Sequence, residues 1–270
     1  MFNGINQAAS STLPYNANQN IDVDQMMLDY YGVDTYHTVE DPWGNYHEHV
    51  DCWAKFLSHE KIIICQVPAS HYKYAEMENV VSHYEEQLNS YGEPYEIHRI
   101  YTPNGEPYAN SYIMNGKVYV PTGFGQYDND AIESFQNALP GYEVEGYNFN
   151  NFISTDALNC RVMNIPDFEA IRIFHNSINN SPVPMNEYEV NATFTDLSGS
   201  GLDISTLKVY WKNQFMENYD SINLEYDNEN YQAFIPNQPG DTPVHYFIEA
   251  GNSAGRIDRL PISGYFDFHA

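Results

Sequence analysis

The chain has 270 residues and carries 37 acidic against 11 basic side chains, a formal net charge of −26 at pH 7. So few cations exclude the basic surface that nucleic-acid binding requires, and they make binding to an anionic membrane surface unfavourable. Aromatic residues make up 15% of the chain, and their apolar area opposes intrinsic disorder. The composition therefore predicts an acidic globular protein whose electrostatic field attracts cationic ligands.

The termini and the cysteines give little indication of the compartment. Residues 1–20 show neither the basic nor the apolar region of a signal peptide, so none is predicted. No stretch approaches the roughly 18 apolar residues of a membrane-spanning helix. Cys52, Cys65 and Cys160 are the only cysteines. An odd number this small favours free thiols over a disulfide framework.

Up to about residue 180 the patterns alternate between helix and strand. Asn115-Gly116, between two β-rich runs at 111–114 and 117–120, is the strongest signal for a two-residue hairpin. Asp128 is predicted to cap a helix that Pro140-Gly141 ends. The periodicity predicts helices over 22–31, 70–90 and 128–139, and strands over 61–67, 95–101, 142–147 and 151–153.

A second domain is predicted after the proline-containing stretch Asn179–Pro184, because two prolines among turn formers interrupt regular structure. We place the first domain at 1–181, with mixed α/β structure, and the second at 182–270. Short strands separated by glycine-rich turns predict an all-β sandwich of immunoglobulin-like type. The predicted strands span 187–194, 206–211, 231–235 and 244–249.

The densest group of chemically active side chains is the segment 47–52, HEHVDC. In an extended strand His47, His49 and Asp51 share one face, and Cys52 points to the other. One interpretation is a polar strand edge. Another is a zinc site, because His and Asp are normal ligands. No further ligand motif completes such a site, and a catalytic zinc normally needs three protein ligands, so we predict no metal.

Cys160 lies between Asn159 and Arg161, and a neighbouring cation lowers the pKa of a thiol. Most free cysteines are small buried hydrophobes, and the segment by itself favours that interpretation. Paired with His49, however, Cys160 forms the nucleophile and proton carrier of covalent catalysis. Asp51 adds a carboxylate that binds cations. Together these residue types suggest a thiolate that attacks a cationic carbon.

The chain resembles the Porphyromonas-type peptidyl-arginine deiminase family of the pentein, or guanidino-group-modifying, superfamily. The similar stretches follow the family's order, and the resemblance covers nearly all of the chain, including the C-terminal immunoglobulin-like segment. They are LDYYGVDTYH at 28–37, HVDCWAKFL at 49–57, YANS at 108–111, DNDA at 128–131, LPGYE at 139–143 and TDALNCR at 155–161.

The resemblance implies an α/β (α+β) catalytic domain with the pentein-type propeller fold, present here in part, followed by the immunoglobulin-like sandwich. It implies hydrolysis of arginine, in a peptide or as a small guanidino compound, to citrulline and ammonia. Cys160 matches the nucleophile, His49 the general acid and base, Asp51 a guanidinium-binding carboxylate, and Asn110 a polar residue near the reaction centre. The family resemblance also implies no cofactor, and a secreted or cell-surface location.

The chain departs from the family pattern in two ways. It matches only the later part of the catalytic domain, so the earlier propeller blades would precede Met1 or come from a separate chain. Asn159 also stands where the family usually has His before the nucleophile. Losing one charge-assisted contact to the guanidinium costs roughly 1.5–3 kcal/mol. We therefore expect this polypeptide to be weakly active or inactive. Agmatine deiminase-like activity and a non-catalytic binding module remain alternatives.

Overall fold

The computed structural model describes residues 7–11 as backbone, and residues 22–33, 35–44, 49–89, 92–163, 165, 167–181 and 183–270 in full. Contacts divide the chain into two compact units, one of which runs from Ile5 to Asn164, while the other includes Ile165–Ala270. None of the helices in these described ranges has the length and apolar character needed to cross a membrane.

The division lies earlier in the chain than the boundary predicted at 181/182. The reason is the strand Ile171–Phe174, whose residues pair antiparallel with 193–196 of the second unit. Ile171 and Ile173 are buried in the core of that unit. The predicted prolines therefore lie within the second unit, after its first strand, and do not mark where it begins.

The first unit combines strands and three helices in its described part, as the patterns predict. The elements are β1 Gln7–Ser11, α1 Val23–Tyr31, β2 Thr35–Val39, β3 Ala54–Phe56, β4 Lys61–Gln66, α2 Tyr74–Glu85, β5 Glu96–Tyr101, β6 Tyr112–Met114, β7 Lys117–Thr122, α3 Asp128–Ala138 and β8 Glu143–Asn148.

These elements repeat one topology. In the set β3–β4–α2–β5, two strands pair antiparallel and a helix then leads to a third strand parallel to the second. The set β6–β7–α3–β8 has the same pairing. Strands β1 and β2 are also parallel, with α1 between them. The described part of the unit therefore contains two ββαβ motifs and one βαβ motif.

Helix α2 forms because its apolar residues return to one face. Met77, Val80, Val81 and Tyr84 recur at three- and four-residue spacing and are buried, as predicted. The helix is shorter than the predicted 70–90, because residues 68–73 form turns in which His71 Nδ1 accepts a hydrogen bond from the Lys73 amide at 3.1 Å. Strand-like pairing at 151–153 is also limited, to a single bridge between Ile153 and Asp156.

The turn around Asn115-Gly116 forms as predicted. Both residues have positive φ, 51° and 80°, which is the requirement of a type I′ turn. Asp128, in contrast, does not cap α3. Its carboxylate accepts hydrogen bonds from the amides of Gly123, Phe124 and Gly125 and from the Tyr108 hydroxyl at 2.9 Å. Asp128 therefore closes the loop before the helix.

The second unit consists of two antiparallel sheets that share one core. Its alternating strands place one side of each sheet inward, for example Tyr188, Val190 and Ala192. The sheet orders are β13–β14–β10–β9 and β12–β11–β15–β16, with β17 also on β15. The strands are β9 Ile171–Phe174, β10 Glu187–Asp196, β11 Leu202–Asn213, β12 Asp220–Asn223, β13 Glu225–Asp227, β14 Asn230–Pro236, β15 Pro243–Asn252, β16 Ile257–Leu260 and β17 Phe266–His269.

Candidate active site

Cys160 lies in the short 3-10 helix Asn159–Arg161, which a buried asparagine holds in place. The Asn159 amide donates to both the backbone oxygen and Oδ1 of Asn110, at 3.0 and 2.9 Å. The Cys160 amide donates to the same Oδ1 at 3.4 Å. Asn110 itself has no exposed surface. Because a buried amide must satisfy its donors and acceptors, Asn110 fixes where the turn lies.

The Cys160 thiol is exposed, so it is not the buried hydrophobe that the segment by itself favours. Asn110 Nδ2 donates to Sγ at 3.1 Å, and the thiol donates to Asp51 Oδ2 at 3.5 Å. Desolvation raises the pKa of Cys160, and the nearby Asp51 carboxylate raises it further, while the Asn110 hydrogen bond opposes both effects. The resting side chain is therefore a thiol held between an amide and a carboxylate.

Arg161 does not activate this thiol as its position in the sequence suggests. Its guanidinium forms two hydrogen bonds with the Asp156 carboxylate, at 2.7 and 3.0 Å, and one with the Asn151 carbonyl. It also lies over the rings of Phe149 and Phe152. The Arg161 guanidinium therefore pairs with these neighbouring groups and not with the thiol. The pKa of Cys160 is raised, whereas the neighbouring arginine predicted that it would be lowered.

His49 and Asp51 lie at a second turn. The strand considered for this segment does not extend over its last residues, because Val50–Cys52 form a 3-10 helix that follows an extended His49. The two side chains still meet, with His49 Nδ1 3.9 Å from Asp51 Oδ1. The His49 side chain is 53% exposed and Asp51 21%. Cys52 is turned inward and buried, as predicted for the opposite face.

A hydrogen-bonded chain that the sequence did not indicate joins the two turns. Asn159 Nδ2 donates to Asp51 Oδ2 at 2.7 Å, and Lys55 Nζ donates to Asn159 Oδ1 at 3.1 Å. Burial lowers the pKa of Lys55 to about 8, although Asp51 and Cys160 favour its charged form. The available signal was a lysine between Ala54 and Phe56 in an otherwise apolar strand.

The structure brings together the predicted site residues that it describes. His49, Asp51 and Cys160 each offer a ligand atom, and the three atoms lie within 4.8 Å of one another. Asn110 contacts the thiol. His47, the remaining member of the zinc interpretation, lies outside the described residues. Among the residues that the structure describes, the group that could hold a metal is thus His49, Asp51 and Cys160.

The other two cysteines are separate from this chemistry. Burial raises the pKa of both Cys52 and Cys65 to about 12, so neither supplies a thiolate near neutral pH. Cys160 is the exposed thiol of the chain. The arrangement can therefore present one nucleophile beside a carboxylate and an imidazole, open to solvent.

Solved structures at about 20% identity share the fold of part of this chain. One is a Porphyromonas gingivalis protein provisionally named an arginine deiminase, with 20% identity, a TM-score of 0.51, and coverage of 58% of this chain and 52% of that one. Another, provisionally named a peptidyl-arginine deiminase, has 20% identity, a TM-score of 0.53, and coverage of 61% and 55%. The C. jejuni agmatine deiminase has 19% identity, a TM-score of 0.50, and coverage of 59% and 51%.

The chain thus spans about half the length of the structures it matches. Its two ββαβ motifs and the turns that carry Cys160 and Asp51 lie within the residues that a family comparison identifies. The sequence model of Porphyromonas-type peptidyl-arginine deiminases matches residues 9–166, which is more than half of the chain. The chain belongs to the Porphyromonas-type peptidyl-arginine deiminase family.

Proposed function

We propose that the first unit carries a deiminase site. The site converts an arginine residue of a peptide to citrulline and releases ammonia from its guanidinium group. The observation that carries this proposal is the Cys160 thiol, exposed and 3.5 Å from the Asp51 carboxylate. A guanidinium group is planar and carries five N–H donors, which suit a carboxylate. Asp51 would hold the cation while Sγ approaches its central carbon.

Substrate binding also explains how a thiol with a raised pKa becomes a nucleophile. The Asp51 carboxylate favours the neutral thiol in the resting site. A bound guanidinium would neutralise that carboxylate and place a positive charge beside Sγ, and both changes favour the thiolate. The Asn110 amide, which donates to Sγ at 3.1 Å, stabilises the same anion.

In the proposed reaction, the thiol proton passes to His49 as Sγ forms a bond to the guanidinium carbon and gives a tetrahedral adduct. His49 donates a proton to one nitrogen, the C–N bond breaks, and ammonia leaves. Water, deprotonated by His49, then attacks the thiouronium carbon, and the C–S bond breaks to regenerate the thiol and release citrulline. The water oxygen becomes the ureido oxygen, so no oxidant or cofactor is required.

We also propose that the two ββαβ motifs are blades of a pentein-type propeller and that the second unit is an immunoglobulin-like sandwich. The repeated pairing of β3–β4–β5 and β6–β7–β8 supports the first part. Two antiparallel sheets around one core support the second. Further blades, on the same or another polypeptide, would supply additional contacts to the substrate.

The test is citrulline and ammonia formation from an arginine-containing peptide, with free arginine and agmatine assayed in parallel. We expect release from the peptide, and none from Cys160→Ala, because that variant has no nucleophile. Cys65→Ala is the matched control, since it removes a buried thiol and leaves the site intact. Equal product from wild type and Cys160→Ala would contradict the proposal. Product from agmatine but not the peptide would favour the alternative deiminase activity.

Labelling distinguishes a weak enzyme from a non-catalytic binding module. A haloacetamidine resembles guanidinium and alkylates a thiolate that lies beside a cation-binding carboxylate. We expect this probe to modify Cys160 in the wild type and more slowly in Asp51→Asn. A folded protein whose Cys160 stays unmodified would indicate that the chain acts as a binding module.

A further inference from the structure

The three side chains of the site also have the composition and spacing of a metal site. The sequence offered His47, His49 and Asp51 as a zinc site, and the fold places Cys160, 109 residues after Asp51, beside the last two of them. One nitrogen, one oxygen and one sulfur atom lie within 4.8 Å of one another. Imidazole, carboxylate and thiolate are the three common protein ligands of Zn²⁺.

The distances between these atoms lie close to those around a tetrahedral ion. Zinc bonds of about 2.0–2.3 Å at tetrahedral angles place neighbouring ligand atoms about 3.3–3.8 Å apart. His49 Nδ1 lies 3.9 Å from Asp51 Oδ1, and Cys160 Sγ lies 3.5 Å from Oδ2 of the same carboxylate. The two distances end on different oxygens of the Asp51 carboxylate, so the three side chains would rotate to direct one atom each at a common ion.

The surroundings favour such a site as well. Asn159 Nδ2 donates to the Asp51 carboxylate at 2.7 Å, and Asn110 Nδ2 donates to Sγ at 3.1 Å. Hydrogen bonds of this kind orient ligands before the ion arrives. His49 and Cys160 are exposed, so a hydrated cation reaches them directly. With three protein ligands, the fourth position remains open to water or substrate.

We propose that His49, Asp51 and Cys160 form a reversible Zn²⁺ site, and that the bound ion blocks the thiol. The sulfur lone pair that would attack a guanidinium carbon would instead be bonded to zinc. The Asp51 carboxylate would be engaged by the same ion. Binding of the metal depends only on the three ligands, whereas its inhibitory consequence rests on the proposed deiminase function.

The first experiment measures binding without substrate. Chelator-treated protein is titrated with ZnCl₂ in competition with a chromophoric chelator. We expect one equivalent to bind, and at least tenfold weaker binding in His49→Ala, Asp51→Asn and Cys160→Ser. His269→Ala is the matched control, because His269 is 52% exposed and its Nδ1 lies 3.5 Å from Asp241 without a thiol. Unchanged affinity in His49→Ala or Cys160→Ser would overturn the proposal.

A second measurement needs no variant. Cys52 and Cys65 are buried, so iodoacetamide labelling of the native protein reports Cys160. One equivalent of Zn²⁺ should slow this labelling at least tenfold, and EDTA should restore the rate. Labelling that zinc does not slow would overturn the site, even in an active deiminase. Zinc protection in a protein that releases no citrulline would support the site and contradict the proposed function.

Discussion

Helices α1 and α2 occupy equivalent places in the chain, each between two parallel strands, yet they differ in what they bury. Helix α2 has four buried residues, Met77, Val80, Val81 and Tyr84. Helix α1 has none, and Tyr30 and Tyr31 are both 75% exposed. Helix α1 nevertheless forms, so its capping residues and helix propensity are sufficient to define it. A contribution to the core requires a buried face, which α2 has and α1 lacks.

The difference shows that helices in the same βαβ topology can contribute differently to the free energy of unfolding. Most of the stability of a short helix in a protein comes from its buried face. Helix α3, with Ala131, Phe135 and Ala138 buried, resembles α2 in this respect. The two ββαβ motifs should therefore melt with the core, and α1 should open locally.

Truncation of a tyrosine in each helix should give the largest contrast. Tyr84 has no exposed surface, and its ring packs against His37, Phe56 and Tyr95. Tyr84→Ala should lower the free energy of unfolding by about 3–5 kcal/mol, as for other large core residues. Tyr30→Ala should change it by no more than about 0.5 kcal/mol. Urea unfolding followed by circular dichroism measures both.

Tyr84→Phe provides the control for this pair. The Tyr84 hydroxyl is buried and has no hydrogen-bond partner within the described part of the chain. Removing an unsatisfied polar group while keeping the ring should leave stability equal or higher. A decrease of more than about 2 kcal/mol in the free energy of unfolding of Tyr30→Ala would contradict this view and show that α1 packs against the core.

The buried charge on β3 should have the next largest effect. The pKa of Lys55 is lowered to about 8, so the folded state binds fewer protons than the unfolded state between about pH 8 and 10.5. Stability therefore rises with pH across that window, and the full cost, about 3 kcal/mol, applies below it. Lys55→Met should raise the free energy of unfolding at pH 7 by up to this amount.

The gain in Lys55→Met should shrink as the pH rises from about 8 to 10.5 and disappear above that range, where the wild-type side chain becomes neutral in both states. Lys208→Met, which removes a lysine from a strand of the second unit, is the control. A variant that is less stable than wild type at pH 7 would indicate that the hydrogen bond from Lys55 to Asn159 outweighs the desolvation of the ammonium.

A titration at His37 tests how β2 joins the core around α2. Burial, followed by the charge of His83, lowers the pKa of His37 to about 4, and its Nε2 lies 2.9 Å from the Tyr95 hydroxyl. The unfolded state therefore binds more protons, and stability is lost as the pH falls from about 6.5 to 4. The loss should approach about 3 kcal/mol. Acid unfolding monitored by tryptophan fluorescence measures it.

His37→Phe should remove this part of the acid sensitivity, because phenylalanine does not titrate. His175 offers a matched control in the second unit, since burial also lowers its pKa to about 4. His175→Phe should leave the pH dependence of the first unit's stability unchanged. Equal acid slopes in the wild type and His37→Phe would contradict the interpretation.

The smallest effect should come from the cap of α1. Asp22 accepts a hydrogen bond from the Gln25 amide at 3.0 Å, and its replacement by Ala should cost the helix about 1 kcal/mol. Because α1 buries no residue, the loss should appear as faster amide exchange within the helix and not as a shift of global unfolding. Asp24→Ala, in the first turn, should have a weaker effect. A global shift in Asp22→Ala would refute the distinction between the helices.

The sequence anticipated local structure where short-range chemistry decides it. Helix α2 follows from apolar spacing, and the Asn115-Gly116 turn follows from residues that tolerate positive φ. The sequence predicted hydrogen-bond partners poorly where a side chain has two possible partners. Asp128 has a capping residue's composition and position, but its carboxylate is committed to three loop amides and a tyrosine hydroxyl. The sequence pattern contains no information about that choice.

The sequence by itself determined the mixed α/β composition, the family and the residues that could carry chemistry, because motifs and periodicity are local properties of the chain. Only the tertiary structure decided how those residues meet. Asp51 and Cys160 are 109 positions apart and lie 3.5 Å apart in space, with Asn110 and Asn159 holding both turns. Contacts between such distant positions depend on the packing of the whole unit, which no local pattern records.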